Sequence, residues 1–129
     1  MQKIALAPSF IDTRGTITDL LNDVPIASVG IVTSHTGAVR GNKYQRSADK
    51  YIYVIKGRVE WVSRRHGDDG AKTTVFSTGD FFLVPAMMEH AMRFLEDTDL
   101  LELTTKSRAR NDYEDDTVRL ETPLIAEVS

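Results

Sequence analysis

Hydrophobic and polar residues alternate along most of this chain, so that every second side chain is apolar. Alternation with a period of two is typical of β-strands that bury one face. Glycine, asparagine and aspartate interrupt the pattern about every ten residues, the spacing of turns in an all-β sandwich or barrel. Helices are predicted to play a minor part. The predicted strands cover residues 3–5, 15–20, 26–33, 38–45, 50–56, 58–65, 72–77, 80–84, 90–94 and 99–104.

The alternation ends near residue 106, and the tail at 106–129 is first charged and then apolar. We expect this tail to begin with a short helical or irregular turn and to cross the sheet or a partner subunit. The basic stretches at 63–66 and 106–110 are interpreted as solvated loop charge. The acidic run at 112–117 stays unassigned, because no EF-hand spacing supports a calcium site there.

A length of 129 residues leaves room for one hydrophobic core, so we predict a single domain spanning 1–129. Hydrophobic residues make up 41% and charged residues 27%, which excludes disordered, collagen-like and membrane classes. No apolar run approaches the roughly 20 residues of a transmembrane helix, and the first residues lack a signal-peptide pattern. We therefore expect a cytoplasmic protein without a membrane partner.

The chain contains no cysteine, which excludes disulfides, thiolate nucleophiles and thiolate-bound zinc and fits a reducing compartment. Its net charge is -3. A broad nucleic-acid surface normally needs clustered excess lysine and arginine, so we expect no nucleic-acid partner.

Two spaced sets of residues between positions 37 and 94 carry the candidate chemistry. The second set is Gly79, Pro85 and His90 in GDFFLVPAMMEH. The first is the segment GAVRGNKYQRSADKYIYVIKG, which runs from Gly37 to Gly57. Strand alternation places positions 43 and 45 of this segment on one face, and position 50 projects into the same cavity from the next strand.

These two sets resemble the two motifs of the cupin superfamily. In the second motif, a glycine, five residues, a proline, four residues and a histidine match this chain at full spacing, although the usual internal glycine is Met87 and the final asparagine is Phe94. The first motif matches in its two glycines only. The resemblance implies an antiparallel double-stranded β-helix of the jelly-roll type, paired as a homodimer.

The positions that hold metal ligands in the first cupin motif are occupied here by Lys43, Gln45 and Lys50. Two amines and an amide coordinate divalent metals poorly, and charged amines repel a cation. We therefore predict no metal and no cofactor, and a pocket suited to a negatively charged small molecule. A metal-dependent cupin enzyme is a weaker alternative, in which His90 and at least two more donors, such as Glu60, Glu89 or Glu102, would hold the ion.

A narrower resemblance involves RGNKYQ at 40–45, which is similar to the RG-x-H-Y-Q segment of nucleotide-diphosphate keto-sugar epimerases and to the RG-x-H-x-H segment of 3,4-ketoisomerases. Those cupins are metal-free. The resemblance implies that Arg40 binds the sugar-nucleotide diphosphate and that Lys43 stands where a histidine moves a proton beside a ketone. The segments FIDTRGTITDLL, HAMRFLEDTDLLELT and NDYEDDTVRL look similar to this branch as well.

The sequence leaves the roles of Lys43 and His90 open. An ordinary lysine is protonated at neutral pH, so Lys43 can act as a base only if burial beside Lys50 and Arg40 lowers its pKa. Alternatively, Lys43 stays charged and pairs with a bound anion or with Glu60, Glu89 or Glu102. His90 could supply the base from the opposite wall, or it could be a buried histidine with one structural hydrogen bond.

The remaining candidates are expected to bind substrate: Gln45 orients a substrate oxygen, Lys50 contributes charge, and Met92 and Phe94 form an apolar wall. Two functional hypotheses follow. The first is a metal-independent isomerase or epimerase acting on a nucleotide-linked sugar in polysaccharide or deoxysugar metabolism. The second is a non-catalytic module that binds a sugar nucleotide or another small metabolite.

Overall fold

Two antiparallel sheets face each other and form a jelly roll in the computed structural model, which describes residues 1–127. The predicted all-β class and jelly-roll architecture are confirmed. The elements are β1 (Phe10–Asp12), β2 (Gly15–Ile17), β3 (Ser28–Ser34), β4 (Val39–Gln45), β5 (Lys50–Lys56), β6 (Arg58–Arg65), β7 (Lys72–Ser77), β8 (Phe81–Val84), β9 (Met88–Phe94), β10 (Thr98–Thr104), α1 (Asp112–Asp116) and β11 (Thr117–Arg119).

The first sheet has the strand order β3-β10-β5-β8, and the second has the order β11-β4-β9-β6-β7. β1 and β2 form a separate two-stranded hairpin. Burial alternates along the central strands as the sequence pattern predicts. In β10, Thr98, Leu100, Glu102 and Thr104 are buried between the sheets, and the residues between them face outward.

Apolar side chains fill one end of the space between the sheets and polar side chains fill the other. At the apolar end, the rings of Phe76 and Phe82 stack with centroids 3.7 Å apart, and Trp61 meets Phe82 edge-on at 5.0 Å. Val54 pairs with Leu100 across the first sheet. Four residues earlier in β5, Lys50 pairs with Thr104, so the same two strands lead from the core to the polar end.

The N- and C-terminal segments differ in detail from the predicted strands. Residues 3–5 contribute only an isolated bridge between Lys3 and Phe82, and residues 10–17 form the hairpin where one strand was predicted at 15–20. The tail contains the expected helical turn as α1, and it continues into β11, which extends the second sheet beside β4. Residues 128 and 129 of the predicted tail lie outside the described range. Among residues 1–127, no helix is long and apolar enough to cross a membrane.

A bulge in β4 sets the direction of the side chains around it. The pairing with β9 shifts between Gly41, opposite Ala91, and Lys43, opposite His90, and Asn42 adopts a positive φ of 56° between them. The extra residue changes the alternation, so that positions 40 and 43 both lie opposite inward-facing residues of β9. Gly41 has φ of 90°, and a Cβ there would lie 2.9 Å from the His90 carbonyl oxygen.

We expect Gly41→Ala to destabilise the fold by about 2 kcal/mol or more, because alanine is strained at this φ and its methyl group meets backbone atoms. The matched control is Gly30→Ala in β3, where an added Cβ meets no atom within 4 Å. Urea unfolding should show a clear loss for the first variant and an equal or slightly higher stability for the control. Equal stability of the two variants would contradict the role given to the bulge.

Candidate functional site

The polar end of the jelly roll brings together four charged side chains and a tyrosine. β4 supplies Lys43, β5 supplies Lys50 and β10 supplies Glu102. The segment that follows β10 returns over the opening and adds Arg108 and, from α1, Tyr113. We call these five residues the mouth cluster. Within it three cationic groups face a single carboxylate, so the cluster carries an excess of positive charge.

Tyr113 stands at the centre of the mouth cluster. The Lys43 ammonium donates a short hydrogen bond to the Tyr113 hydroxyl oxygen. The Arg108 guanidinium carbon lies 4.1 Å from the centroid of the Tyr113 ring, and the Lys50 nitrogen lies 6.0 Å from it. Cations this close to an aromatic face are attracted by its quadrupole and hold the ring in place.

The charges around Tyr113 also change its acidity. Burial raises the pKa of the phenol, but the positive charges of Lys50, Lys43 and Arg108 and the hydrogen bond from Lys43 outweigh burial and bring the pKa below its ordinary value. The phenolate is therefore easier to form than in a free tyrosine. A phenol with a lowered pKa beside an ammonium is a candidate acid-base group.

Glu102 is the only carboxylate of the mouth cluster, and it is shared by two cations. Its Oε1 lies 3.5 Å from the Lys50 nitrogen and 3.4 Å from Nη1 of Arg108. The side chains of Lys50 and Glu102 are only 7% and 9% exposed. Removing one partner from a buried pair leaves an uncompensated charge, so these two residues depend on each other.

His90 lies between Trp61 and the mouth cluster and is completely buried. Its Nδ1 is 3.0 Å from the Met88 carbonyl oxygen, which assigns the proton to Nδ1 and leaves Nε2 as an acceptor. No described residue donates to Nε2. Burial, reinforced by the charges of Lys50 and Lys43, lowers the pKa of His90 to about 3. The imidazole is therefore neutral at physiological pH and suited to accept a hydrogen bond.

The segment that carries Tyr113 is fixed over the opening by an aspartate. The Asp116 carboxylate accepts hydrogen bonds from the backbone N–H groups of Ser47 and Ala48 and from the Ser47 hydroxyl, at 2.7–3.0 Å. The cavity enclosed beneath Tyr113 measures about 10 Å³, enough for roughly one water molecule. A sugar ring therefore needs space beside this cavity, or a displacement of the segment.

Gly30 in β3 leaves space of side-chain size near Glu102. Gly30 pairs with Glu102, and the flanking residues Val29 and Ile31 face outward, so Gly30 faces the interior. A Cβ at Gly30 would meet no atom within 4 Å. The absence of a side chain here keeps an opening beside the Glu102 carboxylate.

The structure distributes the other predicted site residues over three environments. Gln45 is buried at the polar end and donates to the Thr117 hydroxyl at 3.2 Å. Arg40 is exposed at the seam between the sheets, where it donates to the Ser34 hydroxyl and the Thr33 carbonyl. Met92 and Phe94 belong to the hydrophobic core. A substrate contact for these residues stays a prediction.

The residues at the cupin ligand positions do not form a donor set for a metal. Lys43 and Lys50 bring ammonium groups into the space where a cation would lie, and Gln45 is engaged with Thr117. Across residues 1–127, no three histidine, aspartate or glutamate side chains are grouped so that they could hold a metal ion. Of the carboxylates considered as ligands, Glu89 is occupied by Arg64 and His66.

Sequence reasoning missed Tyr113 and Arg108. Arg108 lies in the basic stretch interpreted as solvated loop charge, and that interpretation is wrong for this residue because its guanidinium contacts Glu102 and Tyr113. Tyr113 lies in the acidic run left unassigned. The only signal was the likeness of NDYEDDTVRL to the sugar-nucleotide branch. Glu102 was considered as a partner of Lys43, but its ion pair is with Lys50.

We expect His90 to make stability depend on pH. The unfolded chain binds the His90 proton near the ordinary value of 6.5, whereas the folded chain binds it only near pH 3. Stability is therefore retained above pH 6.5 and falls as the pH is lowered from 6.5 toward 3, by up to about 1.4 kcal/mol per pH unit. Urea unfolding of His90→Gln should show a flatter dependence over this range. The control His35→Gln, at an exposed histidine, should keep the wild-type slope, and an unchanged slope in His90→Gln would contradict the assignment.

A titration followed by absorbance of the phenolate should show a first phase from Tyr113, below the ordinary pKa of tyrosine. Tyr113→Phe should remove this first phase. Lys43→Met should move it to higher pH, because the substitution removes both a positive charge and a hydrogen-bond donor. Tyr51→Phe, on the outer face of the first sheet, is the control and should leave the first phase in place. Survival of the first phase in Tyr113→Phe would show that another tyrosine carries the lowered pKa.

Solved structures with the same fold include two 3,4-ketoisomerases and a 3′-monoepimerase. A 3,4-ketoisomerase from Helicobacter canadensis superposes with a TM-score of 0.75 at 18% identity, covering 92% of this chain and 89% of that one. The 3,4-ketoisomerase of Thermoanaerobacterium thermosaccharolyticum, a double mutant in complex with TDP, gives 0.71 at 22% identity, covering 92% and 86%. A 3′-monoepimerase from Streptomyces bikiniensis, a double mutant with dTDP, gives 0.71 at 19% identity, covering 92% and 66%. At these identities the likeness shows the fold.

The sequence comparison with curated proteins finds no match. The family model described as "Cupin domain" matches residues 30–105, which is more than half of the chain and includes both spaced motifs. The chain therefore belongs to the cupin family.

Proposed function

We propose that this cupin binds a nucleotide-linked keto sugar at the mouth cluster and moves a proton next to the ketone without a metal. The observation that carries the proposal is the Lys43–Tyr113 hydrogen bond, which joins an acid-base pair at the open end of the barrel. The solved structures described as 3,4-ketoisomerases and a 3′-monoepimerase support the class of reaction.

Tyr113 is the group we assign to proton transfer. A base must have a pKa near the working pH, and the cations around Tyr113 bring its pKa closer to that range. The phenolate takes the proton from the carbon beside the ketone, and the electron pair left behind becomes an enediolate. For isomerisation, the proton returns to the former ketone carbon while the hydroxyl proton of the neighbouring carbon passes to the former ketone oxygen. For epimerisation, the proton held by Tyr113 leaves to solvent and a solvent proton enters at the opposite face of the same carbon.

Lys43 has a supporting role in this scheme. As an ammonium it stabilises the Tyr113 phenolate before proton transfer, and it stabilises the negative charge that moves to the sugar oxygen afterwards. This assignment is proposed in place of a neutral Lys43 base, because the positive charges around Tyr113 make its phenolate easier to form. Neutral His90 is completely buried behind the cluster, so in this scheme it supports the site from behind and takes no part in proton transfer.

The excess positive charge of the mouth cluster fits an anionic substrate. Lys50 and Arg108 share Glu102, so a diphosphate that approaches the opening meets two cations paired with one carboxylate. Arginine binds phosphate through two parallel hydrogen bonds, and Arg108 is 40% exposed and accessible from solution. Arg40, exposed at the seam, is a second candidate for binding the diphosphate.

Because nucleotide-linked sugars and a cysteine-free chain both fit the reducing interior of the cell, we infer a cytoplasmic location.

The second candidate is a module that binds the same ligand without converting it. The small cavity beneath Tyr113 and the Asp116 anchor of the segment above it favour this candidate, because a substrate must bring its reacting carbon to the Tyr113 oxygen. Both candidates predict binding of a nucleotide diphosphate, and only the first predicts proton exchange.

The test combines calorimetric titration with dTDP and proton NMR of a dTDP-linked 4-keto sugar in D₂O. The wild type should bind dTDP and should exchange the proton beside the ketone for deuterium. Tyr113→Phe should keep dTDP binding and lower the exchange rate by a factor of about 100 or more. Arg108→Gln should weaken dTDP binding.

The variant Gly30→Val tests whether the sugar binds in the opening beside Glu102, without disturbing the fold. Its unfolding transition should match the wild type, because the added Cβ has space, while sugar binding should fall because the side chain fills the opening beside Glu102. Val75→Ala, on the outer face of the other sheet, is the control and should bind normally. Binding without exchange in the wild type selects the non-catalytic module, and absence of dTDP and sugar binding would refute the proposed function.

A further inference from the structure

The segment between β10 and β11, residues 106–116, touches the barrel at few points. We call it the closing segment. Residues 108–112, Glu114 and Asp115 are exposed, Tyr113 and Asp116 are half-buried, and α1 contains no buried residue. Parts of a chain with few buried contacts open locally at a much lower free-energy cost than the core. The closing segment can therefore open while the two sheets stay folded.

Both ends of the closing segment are held by the barrel. Before it, the Thr105 N–H donates to the Asp49 carbonyl oxygen at 3.0 Å. After it, Thr117 begins β11 and pairs with Gln45 of β4. Movement is therefore confined to the residues between these two ends, and these residues carry the part of the mouth cluster that does not belong to the sheets.

Asp116 connects the closing segment to the loop between β4 and β5. Its Oδ1 accepts hydrogen bonds from the Ser47 N–H at 2.9 Å and from the Ser47 hydroxyl at 2.7 Å, and its Oδ2 accepts one from the Ala48 N–H at 3.0 Å. Hydrogen bonds to an ionised carboxylate are stronger than those to a neutral acceptor. Asp116 is the last residue of α1, and Tyr113 lies in the same helical turn. The bonds of Asp116 therefore help to set the position of the Tyr113 ring.

The closed position leaves little room for a ligand. The cavity between the closing segment and the barrel measures about 10 Å³. The space beside Gly30 has the size of a side chain, which is smaller than a sugar with its diphosphate. In this position Lys43 is bonded to Tyr113 and Glu102 to Arg108, so the groups assigned to the ligand are bonded to each other. A nucleotide-linked sugar reaches them only if the closing segment moves.

We propose that Asp116 is a latch that positions Tyr113 beside Lys43, and that release of this latch opens the closing segment and admits the ligand. Asp116 is a positioning residue, since it acts through Tyr113 and has no contact with the substrate. The admission of a nucleoside diphosphate rests on the proposed function, whereas the opening itself is a property of the free protein.

The latch has opposite effects on binding and on proton transfer. A ligand that binds only to open molecules associates at a rate reduced in proportion to the open fraction. Proton transfer needs the Tyr113 oxygen held close to Lys43, which is the closed arrangement. A weaker latch should therefore speed up binding and slow down proton transfer.

The opening is tested by amide hydrogen exchange of the free protein, followed by NMR. The Arg108 N–H is bonded to the Ser28 hydroxyl at 3.0 Å and has no bond to Asp116, so its exchange reports movement of the whole segment. In Asp116→Ala this amide should exchange faster by a factor of about 5 or more. The amide of Val54, a fully buried residue of β5, should exchange as in the wild type and so show that the fold is intact.

The matched control is Asp115→Ala, because the exposed Asp115 is the neighbouring residue with the same charge. The Arg108 amide should exchange in this variant as in the wild type. Acceleration limited to the Ser47 and Ala48 amides in Asp116→Ala would show that Asp116 makes only a local bond, and the latch would be refuted.

The phenolate titration separates a positioning role from a merely structural one. In Asp116→Ala the first phase should move to higher pH, because Tyr113 spends less time beside the cations that lower its pKa. Loss of the Asp116 charge alone acts in the opposite direction, so a rise identifies the loss of position. Asp116→Asn keeps one acceptor oxygen and should restore part of the shift, and Asp115→Ala should not raise the phase. A first phase that does not rise in Asp116→Ala would show that Asp116 does not position Tyr113.

The admission of the ligand is tested with dTDP by surface plasmon resonance. The association rate constant should rise by a factor of about 5 or more in Asp116→Ala and stay at the wild-type value in Asp115→Ala. Equal rate constants in the wild type and Asp116→Ala would refute the gating role. A wild type that does not bind dTDP would refute the proposed function and the admission of this ligand together, while the experiments on the free protein still decide whether Asp116 positions Tyr113.

Discussion

The polar end of the barrel holds several positively charged side chains beside a single carboxylate, Glu102, and the rest of the structure depends on how these charges are paired. Lys50 is almost fully buried, and its ammonium needs Glu102 because an unpaired charge in this environment costs several kcal/mol. Lys43 is satisfied differently, by the hydroxyl oxygen of Tyr113. The segment at 106–116 therefore completes the electrostatics of the barrel as well as covering its opening.

The jelly roll supports this arrangement by separating two environments along the same strands. Aromatic rings of β6, β7 and β8, packed face to face and edge to face, make one end rigid and dry. At the other end the inward positions of β4, β5 and β10 carry Lys43, Lys50 and Glu102. Because the rigid end fixes the strands, the polar side chains are held at distances that a flexible loop would not maintain. His90, buried between the two ends, is kept neutral by the dry environment.

Replacing the metal-ligand positions of a cupin by lysine and glutamine changes the chemistry of the cavity and leaves the fold intact. The ligand positions point inward at the polar end, so their side chains decide the charge of the cavity. The glycines that shape the turns are retained: Gly57 has φ of 115°, and a Cβ there would lie 2.3 Å from the Thr98 hydroxyl oxygen. The activity of a protein with this fold follows from the charged side chains in its cavity, since the same fold supports many activities.

The sequence by itself determined the strands from 28 to 104 and the inward positions of Lys43, Lys50 and His90, because alternation and turn residues act locally. The jelly-roll arrangement of these strands was implied by the resemblance of the two spaced motifs to those of cupins. Only the tertiary structure decided which groups these side chains meet. Tyr113 reaches Lys43 across 70 residues, and Arg108 reaches Glu102 through a returning loop, so their placement depends on how the tail closes on the barrel. The bulge at 41–43 likewise follows from pairing with β9, and a hydrophobic pattern read along one strand contains no information about its partner's register.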